Sequence, residues 1–356
     1  MSMLVNLTPF PATTFSMLDS DARQFDVVVA SATFEARPGQ PVRIAEEQSP
    51  IREVDEFRGE PGRSSVRHEG QIAPEKARVD VLVEGHAFAP AGRKAGSLMV
   101  ELAVADVRKA LRVSGDRFWS GGSPSSPRPF ERLPIVYERA FGGSTSQHMD
   151  LRNPVGLGFH RARSADTGNE SELPNVEYPS QLMRSRDDVP GPAGFCVVAR
   201  HVQPRAGYAG TFDAAWQAEQ WPLLPRDFDA RHHQCAPPDQ QSDRIAAGDT
   251  VEVTNMTPEG WWLFQLPTLD LPLRLWPPDL GESRLRMDAI VLEPDHHRVT
   301  LIARTRIALR RNRPPLEEMI LGPVSPAWWR ARLQGKRYLN WAAGRGVHIR
   351  AGIEQP

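Results

Sequence analysis

The chain lacks most of what would announce a familiar chemistry. Cysteine occurs twice in 356 residues, as Cys196 and Cys235, too few for the disulfide framework of a small secreted domain. Whether these two pair is left open by the sequence. Neither sign of charge is in excess, with 43 Lys and Arg against 44 Asp and Glu. That balance gives no global field for nucleic acid or an anionic membrane surface. No run of about 18 apolar residues is present to span a bilayer. The opening Met-Ser-Met-Leu-Val-Asn-Leu has no basic region followed by an apolar one, as a secretory signal would. A soluble, cytoplasmic protein is expected, with no membrane or nucleic-acid partner.

Linear catalytic signatures are missing too. Gly121-Gly122-Ser123-Pro124 is a Pro/Ser loop and not a nucleophile elbow. There is no phosphate-binding loop, no dinucleotide fingerprint after a strand, and no His-Glu-x-x-His pair.

Proline is what the chain has in abundance: 33 residues, nearly twice the usual ~5%. Proline at that level without a repeat favours turns and edge strands over long helices. The length suffices for a sizeable core. Val79, Val81 and Val83 alternate with Asp80 and Glu84, as in a strand with one polar face. Leu98, Val100, Leu102 and Val104 repeat the pattern around Glu101, and Lys109 to Val113 adds a short strand. Phe25 to Phe34 is apolar on both faces and predicts a central, doubly covered strand. Further strands are expected at 251–253, 271–275, 285–292 and 299–303. Glu293-Pro294-Asp295-His296 supplies the hairpin connection between the last two.

Between residues 124 and 238 alternation is brief and proline dense, which predicts an ordered loop layer wrapped over the sheets. Ser120 to Pro129 and Arg161 to Glu172 read as loops. Asp213 is a suitable N-cap for a helix through Trp216 that Pro222 stops, and Ser325-Pro326 is a second helix start. The expected fold is mainly β, with β-sandwich or barrel-like sheets, a Pro-rich loop layer and one or two short helices. By composition it divides into a β lobe at 1–120, the loop layer at 121–245, and a second β lobe with a terminal helix at 246–356, or forms one compact domain.

Candidate chemistry is sparse. His232-His233-Gln234-Cys235 has metal-ligand residue types, but the three or four converging ligands of a zinc site are not evident, and a solvated loop is the simpler reading. Asp295-His296-His297 reads as an exposed hairpin tip. Glu46-Glu47, Asp187-Asp188 and Asp227-x-Asp229 are weak carboxylate pairs, the last spaced for turns that bond their own backbone. Arg304, Arg306, Arg310, Arg311 and Arg313 read as a solvated strand edge. Tryptophan outnumbers tyrosine nine to four, with doublets at Trp261-Trp262 and Trp328-Trp329. Each doublet either offers an interface or splits, one ring in the core and one beneath a loop.

A longer string is recognisable. It runs Leu111-Arg112-Val113-Ser114-Gly115-Asp116-Arg117-Phe118-Trp119, then Pro129-Phe130, then Leu133 through Tyr137-Glu138-Arg139-Ala140-Phe141-Gly142-Gly143. Asn153-Pro154-Val155-Gly156, Leu173-Pro174-Asn175, Ala209-Gly210-Thr211-Phe212-Asp213 with Trp216, and Leu224-Pro225-Arg226-Asp227-Phe228-Asp229 follow; Ala45-Glu46-Glu47-Gln48 and Gly59-Glu60-Pro61 precede it. Over about residues 10 to 310 the chain resembles the domain-of-unknown-function 2169 family of bacterial type VI secretion gene clusters. The resemblance implies a non-catalytic adaptor or chaperone without a cofactor. Its implied partners are a type VI effector with a PAAR region and the spike protein. Arg117, Trp119, Arg139, Phe141, Gly142, Gly143 and Asn153 are the expected partner-binding positions, because such types are enriched at interface hot spots or permit close backbone approach. On that reading, replacing Trp119 or Phe141 weakens partner capture and spares stability. Asp116-Arg117 and Glu138-Arg139 are more simply read as ion pairs that fix loops. A structural part of the secretion apparatus, or a carbohydrate-binding or hydrolase β-sandwich with tryptophan platforms, are the alternatives.

Overall fold

The structure, a computed structural model, describes residues 2–90, 93–120, 122–145, 147–159, 172–309 and 314–336. The fold is mainly β. Its largest sheet runs in the order Gln241–Ser242, Val79–Val83, Arg286–Glu293, Arg298–Ala308, Gln24–Glu35 and Ala12–Leu18, with Arg43–Ile44 added beside Gln24–Glu35. A five-stranded sheet runs Val176–Glu177, Val107–Ser114, Ser97–Val104, Thr250–Thr254 and Trp261–Gln265. A four-stranded sheet holds Met3–Asn6, Glu318–Leu321, Pro272–Trp276 and Glu282–Arg284. None of the three closes into a barrel. Strands from 1–120 and from 246–356 interleave in all three: Gln24–Glu35 pairs antiparallel with Arg298–Ala308, and Val79–Val83 parallel with Arg286–Glu293.

One continuous apolar core joins these layers. Val28, Ala30, Ala32, Val81, Ile290 and Leu301 of the largest sheet pack with Val100, Leu102, Leu111, Val251, Val253 and Trp262 of the five-stranded sheet, and with Leu273 and Met319 of the third. The back of the largest sheet is covered as well, at Val66, Leu82, Val197 and Cys235, and at Val29, Ala289 and Ile302. Burial on both faces explains why apolar residues stand on both faces of Gln24–Glu35. It also corrects the expectation of a polar face on Val79–Val83. All five residues are buried there, and Asp80 is satisfied by Lys76 at 2.8 Å, Gln234 at 2.8 Å and the Cys235 amide at 2.9 Å. Arg304 departs from expectation for the same reason. It sits inside a central strand, buried and ion-paired with Asp288, while Arg306 stacks 3.8 Å over Phe25 and bonds Asp19 at 3.0 Å. Arg310, Arg311 and Arg313 lie outside the described residues, as does most of the Arg161–Glu172 loop.

The expected connections form. Pro294–His296 makes the hairpin turn, closed by His297 at φ +51°. Of the tip, His296 is exposed as expected, while its neighbours are packed: Asp295 accepts from His86 at 2.7 Å and Arg132 at 2.6 Å, and the His297 ring lies 5.9 Å from Trp262. The helix Ala214–Glu219 is capped by Asp213, and Pro326–Leu333 by Ser325. No helix among the described residues is long and apolar enough to cross a membrane.

Candidate functional site

The string of motif residues converges where the strand Val107–Ser114 ends. Asn175 donates to the Ser114 carbonyl at 3.0 Å and to Asp116 at 3.1 Å, and accepts from Arg139 at 3.0 Å. Arg139 also reaches Asp116 at 3.3 Å. Arg117 turns inward, donating to the Glu177 carboxylate and the Pro174 carbonyl, each at 2.6 Å. The sequence-adjacent pairings are therefore replaced by cross-loop ones, and Glu138 accepts from the Ser65 amide at 2.7 Å instead. Asp116, Arg117, Glu138, Arg139 and Asn175, with Leu157 and Leu173, line a cavity of about 280 Å³.

Behind it lies a small apolar cluster of Trp119, Phe141, Leu173 and Met183, with Phe159 edge-on to Phe141 at 6.4 Å. Gly142 and Gly143 have φ of +146° and +124°, and Asn153 donates to the Tyr137 and Phe141 carbonyls at 2.8 and 3.0 Å. Of the seven expected contact residues, six are buried; Arg139 alone offers part of its side chain to solvent. Their immediate work is to hold loops together.

The histidine and cysteine groups are likewise absorbed into the interior. Cys196 and Cys235 are free thiols, both buried. Burial pushes Cys196 up to about 12 and Cys235 well above the ordinary thiol range, so neither supplies a thiolate nucleophile near neutrality. The His232 ring donates from Nδ1 to the Arg205 carbonyl at 3.1 Å, and both rings pack on Phe228 at 5.8 and 5.3 Å. Burial lowers His232 and takes His233 down to about 4. No three His, Cys, Asp or Glu side chains converge on a metal position among the described residues.

What does reach solvent is an aromatic platform in the segment 208–233. Gly210 has φ +81°, and a Cβ there would lie 2.9 Å from Asp227 Oδ1. The Asp227 carboxylate accepts from the Thr211 amide at 3.0 Å and its hydroxyl at 2.7 Å. Asp213 caps the following helix through the Trp216 amide at 2.8 Å, and the Trp216 indole N–H donates to the Leu223 carbonyl at 2.9 Å. Asp229 and Tyr208 fix the far side, with Arg231 bonded to the first and 4.2 Å over the ring of the second. On this frame Phe212 and Trp216 meet edge-to-face at 4.8 Å, and Phe212 and Trp221 stand 55% and 68% exposed. Asp229 thus serves as the turn residue its spacing predicts, accepting from the Arg231 amide at 2.9 Å, whereas Asp227 bonds across to Thr211 and not to its own turn.

Sequence reasoning missed Trp221 and the exposure of Phe212. The available signal was an aromatic-rich stretch held between Gly210 and Pro225. The doublet Trp261-Trp262 splits: Trp262 is fully buried and donates to the Ala36 carbonyl, while Trp261 stands in the open. Trp328 and Trp329 stack on each other at 6.2 Å, against Trp276 and Arg332.

No curated protein matches the chain, and no solved structure matches it. The model of a family described as uncharacterized protein conserved in bacteria, domain of unknown function 2169, matches residues 21–304, and the chain belongs to that family.

Proposed function

We propose that this protein is a cytoplasmic, non-catalytic adaptor of a bacterial type VI secretion system. It binds an effector that carries a PAAR region or associates with the spike, and helps load that effector onto the spike. The observation that supports this reading is the aromatic platform. Two large rings stand in water on a frame of carboxylate–amide bonds and a capped helix, although burying such rings is favourable by ~25 cal/mol per Å². A rigid aromatic surface loses little conformational entropy on docking and suits a protein partner. The motif residues around Asn153 and Asn175 belong, in this reading, to the scaffold that presents it.

The test is co-expression of the tagged chain with the effector and spike proteins encoded beside its gene, followed by size-exclusion chromatography with light scattering. A stable complex with the effector is expected, lost on deleting the PAAR region and weakened about tenfold or more by Phe212→Ala with Trp221→Ala. Failure to bind any neighbour, each being soluble alone, overturns the adaptor reading. Recovery in purified spike or baseplate particles at fixed stoichiometry replaces it with a structural role.

A further inference from the structure

The strand Trp261–Gln265 is the last of the five-stranded sheet, and its free edge is unusually well suited to accept another strand. The Leu266 amide donates to the Asp249 carbonyl at 2.9 Å and the Leu266 carbonyl accepts from Gly248 at 2.9 Å. This fixes which residues face the neighbouring Thr250–Thr254: Leu266, Phe264 and Trp262. Trp261, Leu263 and Gln265 therefore turn their backbone N–H and C=O groups outward. Among the described residues the one bond to these groups is from the Thr257 hydroxyl to the Trp261 carbonyl, at 3.4 Å. Sheet edges are ordinarily blunted by shortness, lysine, proline or a bulge. The edges at Val176–Glu177 and Gln241–Ser242 are two residues long; this one is five, with no charge, no proline and a regular register, and unlike the longer edge at Ala12–Leu18 it carries two exposed large apolar side chains within three residues.

The same strand points two apolar side chains at solvent, Trp261 at 56% and Leu263 at 47% exposure. On that face Leu263 lies opposite Glu252, and Trp261 opposite Thr254, which is opposite Glu101. Glu101 and Glu252 are exposed and form no ion pair among the described residues. Arg108 and Arg112 flank the position opposite Glu101 on the next strand, whereas Glu252 has Leu263 on one side and Ala103 on the other, so Glu252 is the carboxylate that fronts this edge without a cation beside it. An unpaired carboxylate beside an apolar edge favours a cationic strand over a second copy, which brings the same charge.

We infer that this edge binds an extended peptide strand carrying Lys or Arg at alternate positions. Main-chain bonds to Trp261, Leu263 and Gln265 hold the strand. The aliphatic stems of its cations lie along Leu263 and the Trp261 ring, and a charged head reaches over Leu263 toward Glu252. This surface is separate from the platform at Phe212 and Trp221, and it stands or falls independently of the type VI reading because its test uses peptides alone.

The probes are a capped heptapeptide alternating Lys and Val, its Glu–Val counterpart, and a Lys–Val version with proline at the centre. Binding is measured by titration on the full chain, and the site by amide hydrogen exchange. The Lys–Val peptide is expected to slow exchange at Trp261, Leu263 and Gln265 and to bind about tenfold or more tighter than either control. Leu263→Lys should remove that binding, and Glu252→Lys should remove the preference for Lys–Val over Glu–Val even if the first variant folds poorly. Equal affinity for the Lys–Val and Glu–Val peptides overturns the proposal, as does unchanged exchange at the three amides. A dimer of the free chain that Leu263→Lys dissociates assigns the edge to a second copy and also overturns it.

Discussion

Asn153 fills the space that a side chain at Gly142 would require: a Cβ on Gly142 would lie 2.2 Å from the Asn153 carbonyl oxygen. With φ at +146° the Gly142 backbone is also one that other residues rarely adopt. Gly142→Ala should therefore destabilise by ~3 kcal/mol or more, or abolish folding. Asn153→Ala, which removes a donor from the Phe141 carbonyl and leaves the Tyr137 carbonyl with the Ala140 amide alone, should remove ~1–3 kcal/mol. Denaturant melts of the two variants check both, and wild-type midpoints would show that this junction is not fixed as described.

Trp119→Ala and Phe141→Ala should each lower stability by about 3–5 kcal/mol, since both rings are buried in one cluster with Leu173 and Met183. This reverses the expectation drawn from their residue types, that they would leave the melting curve intact. Thermal melts followed by circular dichroism separate the two outcomes, because a hot-spot residue in solvent would leave the midpoint where it was.

At the platform the opposite pattern should hold. Phe212→Ser and Trp221→Ser, at exposed positions, should change stability by less than ~0.5 kcal/mol. Asp227→Ala removes two bonds to Thr211 from the turn beneath them and should loosen it. The check is amide exchange across 208–229: acceleration in Asp227→Ala with wild-type rates in the two serine variants.

Acid should destabilise the protein before its carboxylates titrate. Burial takes His68 and His233 down to about 4, helped at His68 by Arg52 and at His233 by His232. Between about pH 6.5 and 4 the unfolded chain binds protons at these sites and the folded chain does not, so stability falls as pH falls. The expected loss is about 1–3 kcal/mol across that window. His68→Gln with His233→Gln should flatten the profile there; an unchanged slope would assign the acid sensitivity elsewhere.

How much of this was legible depended on whether a residue's surroundings were local. Ser97–Val104 and Gln24–Glu35 were readable because their side-chain periodicity reports which faces are covered. Asp213 and Ser325 were readable as caps because a cap bonds within its own turn. Asp80 was misread as solvent-facing because its partners, Lys76, Gln234 and Cys235, come partly from a loop 154 residues onward. Trp261–Gln265 gave no strand signal: four of its five residues are apolar, so an exposed face looks like a buried one. The family string located the Asn153–Asn175 junction, but residue type alone does not distinguish a ring that braces a loop from one that meets a partner. Trp119 and Phe212 differ in their neighbours, not in their chemistry.

The parallel pairing of Met3–Asn6 with Glu318–Leu321 gives the molecule a mechanical character. Tension applied to the chain before Met3 and after Leu321 pulls those strands along their lengths in opposite directions. The ladder between them is then loaded in shear, with its bonds sharing the force, rather than being unzipped one at a time. The grip between the first strand and the last, among the described residues, is thus oriented to resist pulling.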